Sequence, residues 1–308
     1  MVHCQHCNSY NAIRYGIRGD GAIQRVFCND CNRESSMLVE DLEAGATVES
    51  SMPKVLVLDI ETLPMEAFVW TLRKPWINTG NLIADWCIVS WAAKWLCDSE
   101  VMGDVLTPGE AKRRDDRRIM KSIWQLLDAA DFVITHNGER FDLRKLNSRF
   151  LYHRMIPTSP YQSIDTLKAA WKQFDFTSNK QGFLNEMLCL PNKLDTDFTL
   201  WRDCVDGNPD ALARMLDYNK HDVTGLEELY FVFRPWMRSH PNLSVFTNSD
   251  KEQCGHCLCE DVEIRGSYGT PANRYHAFRC KECGAPGRSR KSALSPEHRK
   301  VMILNTAR

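Results

Sequence analysis

No run of roughly 18 apolar residues occurs in the 308-residue chain, so no membrane-crossing helix is expected. Neither sign of charge is in surplus: 39 Lys and Arg face 40 Asp and Glu, a formal net charge of −1. A chain so balanced is no general nucleic-acid coat, and any phosphate-binding surface must be local. The opening MVHCQHCNSY has neither the basic stretch nor the apolar core of a secretory signal, which gives a cytoplasmic expectation. Apolar residues, at 43%, suffice for a sizeable core, and the length suggests about two domains.

Cysteine, in contrast, is abundant. Eight of the 13 form four C-x-x-C pairs: Cys4/Cys7, Cys28/Cys31, Cys254/Cys257 and Cys280/Cys283. In a reducing compartment such pairs read as metal sites rather than disulfides. Two pairs about 20 residues apart suit a tetrahedral Cys4 zinc site, so two structural Zn2+ ions are expected. Iron in the same cage, or redox use of one pair, is the alternative. His6 and His256 sit inside knuckles that already offer four thiolates and are taken as bystanders, and Cys259 as a spare thiol. Each unit is too small to build its own core, so the metal supplies most of its folding energy. The units also repeat: Ile17-Arg18-Gly19, Arg25 and Phe27 in the first match Ile264-Arg265-Gly266, Arg274 and Phe278 in the second. Both resemble the zinc ribbons of transposases and other DNA-handling proteins. Residues 251–308 hold 11 Lys and Arg against 6 Asp and Glu, and GRSRKS reads as a flexible basic tail, so phosphate contact is expected there. The first ribbon is charge-balanced and could equally bind protein.

Composition divides the chain into an N-terminal ribbon at 1–40, a small acidic linker at 41–53, a central domain at 54–240, a second linker at 241–252, and a C-terminal ribbon with its basic tail at 253–308. In the central domain KVLVLDI reads as a buried strand, CIVSWAAKWL, SEVMGDVL and DFVIT as further strands, and SIDTL as a short one. GEAKRRDDRRIMKSIWQLLDAA, LRKLNSRFLYHRM and KAAWKQF read as helices, and PDALARMLDYNKHDVTGLEELYFVFRPWM as one long helix or two stacked ones. The fold class is therefore α/β, a mixed central sheet flanked by helices, plus two small ribbon modules. KRRDDRR at 112–118 reads as a solvated helix face. Trp91 and Trp95, set in an apolar strand, read as core.

Three short elements carry the chemistry. Asp59 and Glu61 are i and i+2 on a strand, so their carboxylates share a face while Ile60 enters the opposite layer. His136-Asn137-Gly138-Glu139-Arg140-Phe141-Asp142 follows DFVIT; Gly138 permits a turn where the strand ends, and Asp142 opens the next helix. Tyr218 and Asp222 are i and i+4 on a helix, one turn apart on one face. Four carboxylates converging on one spot repel one another unless divalent cations lie between them. Two hard cations held by oxygen ligands support in-line attack of water on a phosphodiester.

D-x-E-T, then N-x(3)-F-D, then Y-x(3)-D, in that order, resemble the three motifs of the DEDDy 3′→5′ exonucleases. These belong to the DnaQ/RNase H-like superfamily, which includes polymerase proofreading domains and RNase D-like enzymes. The likeness covers about residues 53–240 and extends to stand-alone exonucleases of phage and bacterial origin, which would place the chain in a host cytoplasm. It implies an RNase H-like core and two Mg2+ or Mn2+ ions, one held by Asp59, Glu61 and Asp222 and the other shared by Asp59 and Asp142. It implies that Tyr218 orients the attacking water, and that Asn137, Thr62 and Phe141 contact the substrate. The histidine subclass needs His where Asp217 stands, so the tyrosine subclass fits and His221 is incidental. Asp165 reads as a strand-end or N-cap residue. The implied activity is release of nucleoside monophosphates from the 3′ end of DNA, which the ribbon type favours over RNA. An exoribonuclease, a non-catalytic zinc-ribbon adaptor and a structure-specific endonuclease are the rivals. With no polymerase motifs in the chain, a DNA polymerase or other replication protein is the expected partner.

Overall fold

The structure is a computed structural model describing residues 4, 6–7, 9, 11–18, 23–38, 52–73, 77–191 and 196–304. Two compact units divide at residue 51. In the first, β1 (Ala12–Arg18), β2 (Ile23–Cys28) and β3 (Glu34–Leu38) form an antiparallel sheet in that order. Gly19 and residues 41–51 of the expected linker lie outside the described residues.

The second unit begins with β4 (Val55–Leu63), the apolar run VLVLDIETL, as the centre of a five-stranded sheet. A two-stranded excursion, β5 (Glu66–Ala67) with β6 (Leu82–Ala84), leads into β7 (Cys87–Trp95) and β8 (Met102–Val105). After α1 (Pro108–Arg113) and α2 (Arg117–Ala129), the chain returns through β9 (Phe132–Thr135) and α3 (Asp142–Tyr152) to β10 (Gln162–Asp165). The sheet order is β10-β9-β4-β7-β8; β10, β9 and β8 run in β4's direction and β7 alone is reversed, antiparallel to both its neighbours. Helices α4 (Thr166–Gln173), α5 (Gln181–Met187) and α6 (Phe198–Val205) precede α7 (Pro209–Phe233), a single 25-residue helix. Asn208 caps α7 and Pro209 occupies its first turn, where a missing N–H costs nothing. Alternation along β4 decides the layers. Leu56, Leu58 and Ile60 pack into a core with Ile119, Ile123 and Leu146; Val55 and Val57 face Val223, Leu226 and Tyr230 of α7. Among the described residues no helix is long and apolar enough to cross a membrane.

Four readings of the sequence change. The helix expected through KRRDDRR breaks: Thr107 and Glu110 form a capping box that starts α1, and Arg114 turns left-handed (φ 53°) to end it. The break turns Asp116 inward, 0% exposed, where its carboxylate accepts hydrogen bonds from Arg149 Nε and Nη2 (both 2.6 Å) and Ile88 N (2.9 Å), with His153 Nε2 at 2.5 Å. Lys112, Arg113, Asp115, Arg117 and Arg118 are solvated as expected, but the segment is no single helix face and Asp116 leaves the solvent. Trp91 is core, as expected, its Nε1 donating to the carbonyl of Ile119.

The C-terminal ribbon comprises β11 (Val262–Thr270), β12 (Asn273–Cys280) and β13 (Pro286–Arg288), followed by the short helix α8 (Pro296–Val301). GRSRKS is not a flexible tail: Arg288 pairs with Ala277, Ser289 N donates to His276 O, and Ala293 N to Arg274 O. Within 241–252, read as a linker, Leu243 is buried and Phe246 packs edge-on against Phe132 at 5.1 Å. The repeat also has a different register. The irregularity in β1 falls between Arg14 and Ile17, ten residues after Cys4; that in β11 falls between Ile264 and Ser267, ten after Cys254. Gly16, not Gly19, is thus the counterpart of Gly266, whose φ of 101° favours glycine.

Candidate active site and metal centres

Asp59 and Glu61 emerge where the apolar face of β4 beneath α7 gives way to carboxylates. Asp59 sits opposite Ala92 and Glu61 opposite Ser90, and the register shifts just beyond Glu61. These small partners on β7 leave room for α7, which brings Tyr218, Asn219 and Asp222 down onto the same face. One carboxylate oxygen from each of Asp59, Glu61 and Asp222 lies within 4.8 Å of the others. The triad can hold a divalent cation, since hard cations take such oxygens at about 2.0–2.6 Å.

Asn219 was missed in the sequence. It is fully buried, its Nδ2 donates to Asp59 Oδ2 at 2.6 Å, and its Oδ1 accepts from Ser90 Oγ at 3.2 Å. Its i, i+3 relation to Asp222 was the available signal. Asp142 falls outside the triad but abuts it: buried in the first turn of α3, its Oδ1 accepts from the backbone N–H of Ile60 at 3.1 Å, between the two strand carboxylates. Tyr218 lies one turn from Asp222, with Trp201 edge-on to its ring at 6.1 Å.

The turn after β9 carries Asn137 in the left-handed region (φ 71°). Gly138 is required for closeness: a Cβ there would stand 2.3 Å from Thr135 Oγ1. Asp165, at the end of the parallel neighbour β10, accepts from the N–H groups of Asn137 (3.0 Å) and Glu139 (3.4 Å), and from Leu167 and Lys168. It therefore caps α4, as read from the sequence, and also holds the turn that delivers Asp142. Phe141 is 38% exposed, Thr62 is half-buried past the register shift, and His221 is exposed with Nδ1 against the carbonyl of Asp217.

The eight paired cysteines form two four-sulfur clusters. Sulfur–sulfur separations are 3.5 Å for Cys4–Cys31 and 3.6 Å for Cys7–Cys28, Cys254–Cys283 and Cys257–Cys280. A tetrahedron with Zn–S bonds of about 2.3 Å has edges of about 3.8 Å, so both clusters suit structural zinc. Burial raises the Cys280 thiol, but the N–H groups of Cys283 and Glu282 and the neighbouring thiols more than offset it, leaving it at about 7. Cys4 falls to about 6 in the same way, burial being outweighed by the N–H groups of His6 and Cys7. Thiolates are the ligand form, so these N–H groups favour metal binding. His6 and His256 turn their Nε2 atoms to the carbonyls of Glu34 and Met237, outside the clusters. Cys259 is also outside, its sulfur accepting from Asp261 N.

The family RNase_H_2, of the RNase_H superfamily, matches residues 103–233, which include Asp142, Tyr218 and Asp222. Among solved structures, the family B DNA polymerase from the hyperthermophilic archaeon Pyrobaculum calidifontis matches over 65% of this chain at 15% identity, with a TM-score of 0.42. The chain spans 28% of that polymerase's length. No curated protein matches. The core is thus RNase H-like: a mixed five-stranded sheet flanked by helices, with two small Cys4 modules.

Proposed function

We propose that this RNase H-like chain is a metal-dependent 3′→5′ exonuclease that hydrolyses phosphodiester bonds at the 3′ ends of DNA and releases nucleoside monophosphates. The observation that carries the reading is the convergence of Asp59, Glu61 and Asp222, with Asp142 bonded into the backbone between the first two. Four carboxylates from one strand and two helices, on a nuclease-type fold, have few uses besides holding divalent cations against a phosphate. Two Mg2+ or Mn2+ ions there would lower the pKa of the attacking water and neutralise charge on the departing 3′-oxygen.

The protein's part is positioning. Asn219 fixes one oxygen of Asp59, and with it the orientation of the carboxylate beside Glu61 and Asp222. Ile60 N–H pins Asp142 at the edge where the strands end. Tyr218 suits a hydrogen-bonding role toward the water rather than a base's role, because a phenol is a weak base at neutral pH. Asn137 in the turn, Thr62 next to Glu61 and Phe141 next to Asp142 are assigned to the terminal nucleotide on the motif resemblance. The 3′→5′ polarity, the preference for DNA and the partnership with a replication polymerase rest on the motif resemblance and the ribbon type.

Asp59→Ala and Asp142→Ala, each assayed on single-stranded DNA with Mg2+ and with Mn2+, are expected to abolish cleavage while circular dichroism stays native. Cleavage by Asp59→Ala at the wild-type rate would sink the two-metal assignment.

A further inference from the structure

Away from the carboxylates, a groove of about 880 Å3 runs between the end of α7 and the C-terminal ribbon. Its walls are fixed. Leu243 N donates to Gly255 O at 2.8 Å, His256 Nε2 meets Met237 O at 3.2 Å, and the rings of His240 and His256 lie 4.6 Å apart. One wall carries Trp236 and Arg238, and the other Tyr268, Arg279 and Arg288, with Gln173 of α4 at one end.

Charge in the ribbon is sorted. Lys251, Arg265 and Lys281 pair with Glu260, Glu263 and Asp261, whereas Arg238, Arg279 and Arg288 are exposed in the groove with no carboxylate partner among the described residues. Arg288 is steadied over the ring of Tyr275 at 4.2 Å, which orients its guanidinium without neutralising it. Trp236 remains 59% exposed although its back rests on Phe174, which in turn packs on Phe233, and Tyr268 is 52% exposed. Aromatic faces held in place beside unneutralised guanidinium groups are the pattern that binds unstacked bases and their phosphates. A duplex offers no free base faces to such rings.

The groove also points toward the candidate active site. Met237 lines both it and a smaller depression bordered by Glu139, Asp165 and Lys172. Helix α4 spans the interval, about 12 Å for its eight residues, and is capped by Asp165, which holds the Asn137–Glu139 turn.

We infer that this groove is a second nucleic-acid subsite that holds a single strand by its phosphates and one or two bases, and that the C-terminal ribbon's metal cluster serves to build its wall. The inference rests on the nucleic-acid reading above and adds a place and a strand state to it. The test is fluorescence-anisotropy binding of a labelled single strand of about 20 nucleotides, and of the matching blunt duplex, to the full zinc-replete chain without added Mg2+ or Mn2+. The variants are Trp236→Ala and the triple change Arg238→Ala/Arg279→Ala/Arg288→Ala; the triple change touches only exposed side chains and keeps the test valid if Trp236→Ala misfolds. Trp236→Ala should weaken single-strand binding about tenfold. The triple variant should lower the slope of log K against log salt by about 2, from roughly 0.7 per lost phosphate contact. An unchanged slope and affinity in the triple variant, or a duplex bound as tightly and weakened equally, would overturn the inference. Because binding is read without cleavage, a strand held in the groove by a chain that never degrades it would sink the exonuclease reading alone. Degradation with unaltered binding in the triple variant would sink this one alone.

Discussion

Asn219→Ala gives a test of how the site is organised. The change removes a charge-assisted hydrogen bond of 2.6 Å to Asp59 Oδ2 and strips Ser90 Oγ of its acceptor. A hydrogen bond to a carboxylate contributes about 1.5–3 kcal/mol, and a lost outer partner of a metal ligand typically costs 10–100-fold in metal affinity or activity. Asp59 keeps its charge, so the loss should appear as disorder in its orientation rather than as a missing ligand. Degradation of end-labelled DNA across a Mg2+ titration should therefore show the apparent metal affinity falling about 10–100-fold, with much of the rate recovered at saturating metal. Asn219→Asp places a fourth acidic group against Asp59 and should not rescue. A purely structural role for Asn219 would lower thermal stability and leave the metal titration where it was. An Asn219→Ala protein within twofold of wild type at every Mg2+ concentration would refute the positioning argument.

Other consequences follow from the same geometry. Asp116→Ala strands the buried guanidinium of Arg149 and should cost about 3–5 kcal/mol in urea unfolding; a loss under about 1 kcal/mol would contradict the buried-pair account. Tyr218→Phe should slow turnover by about 10–100-fold and spare metal binding, checked by single-turnover rates at saturating Mn2+. Metal analysis should find about two zinc ions per chain, and Cys280→Ser should drop this to about one; a stoichiometry unaltered by Cys280→Ser would contradict the Cys4 assignment.

The central strand, the α/β class and the cysteine frames were legible because their signals are local. An apolar run flanking Asp59 reads as a buried strand, and C-x-x-C spacing reports itself. Asp59, Glu61 and Asp222 do converge, since residue spacing fixes which side chains share a face of a strand or helix. What stayed hidden depends on partners distant in sequence. Asp116 looked like one charge in a mixed run, yet its partner Arg149 lies 33 residues on in α3. Lys94 sat in an apolar strand with nothing nearby to mark it as the buried partner of Glu227, 133 residues away. The spacing of Asn219 from Asp222 marks it only as a neighbour of the site; its bonds to Asp59 and Ser90 show once α7 is laid across β4 and β7. The ribbon repeat was misaligned by three residues because Ile-Arg-Gly recurs by composition, whereas the structurally equivalent glycines, Gly16 and Gly266, stand at a fixed distance from the first cysteine.

The exonuclease reading meets its most direct test in one gel. A 5′-labelled single strand of DNA and its RNA counterpart are incubated with the full chain and Mg2+ or Mn2+, beside an Asp142→Ala control. The account predicts a ladder that shortens from the 3′ end, is faster on DNA and disappears in Asp142→Ala. An intact strand under every metal condition, or a ladder that persists in Asp142→Ala, would contradict it.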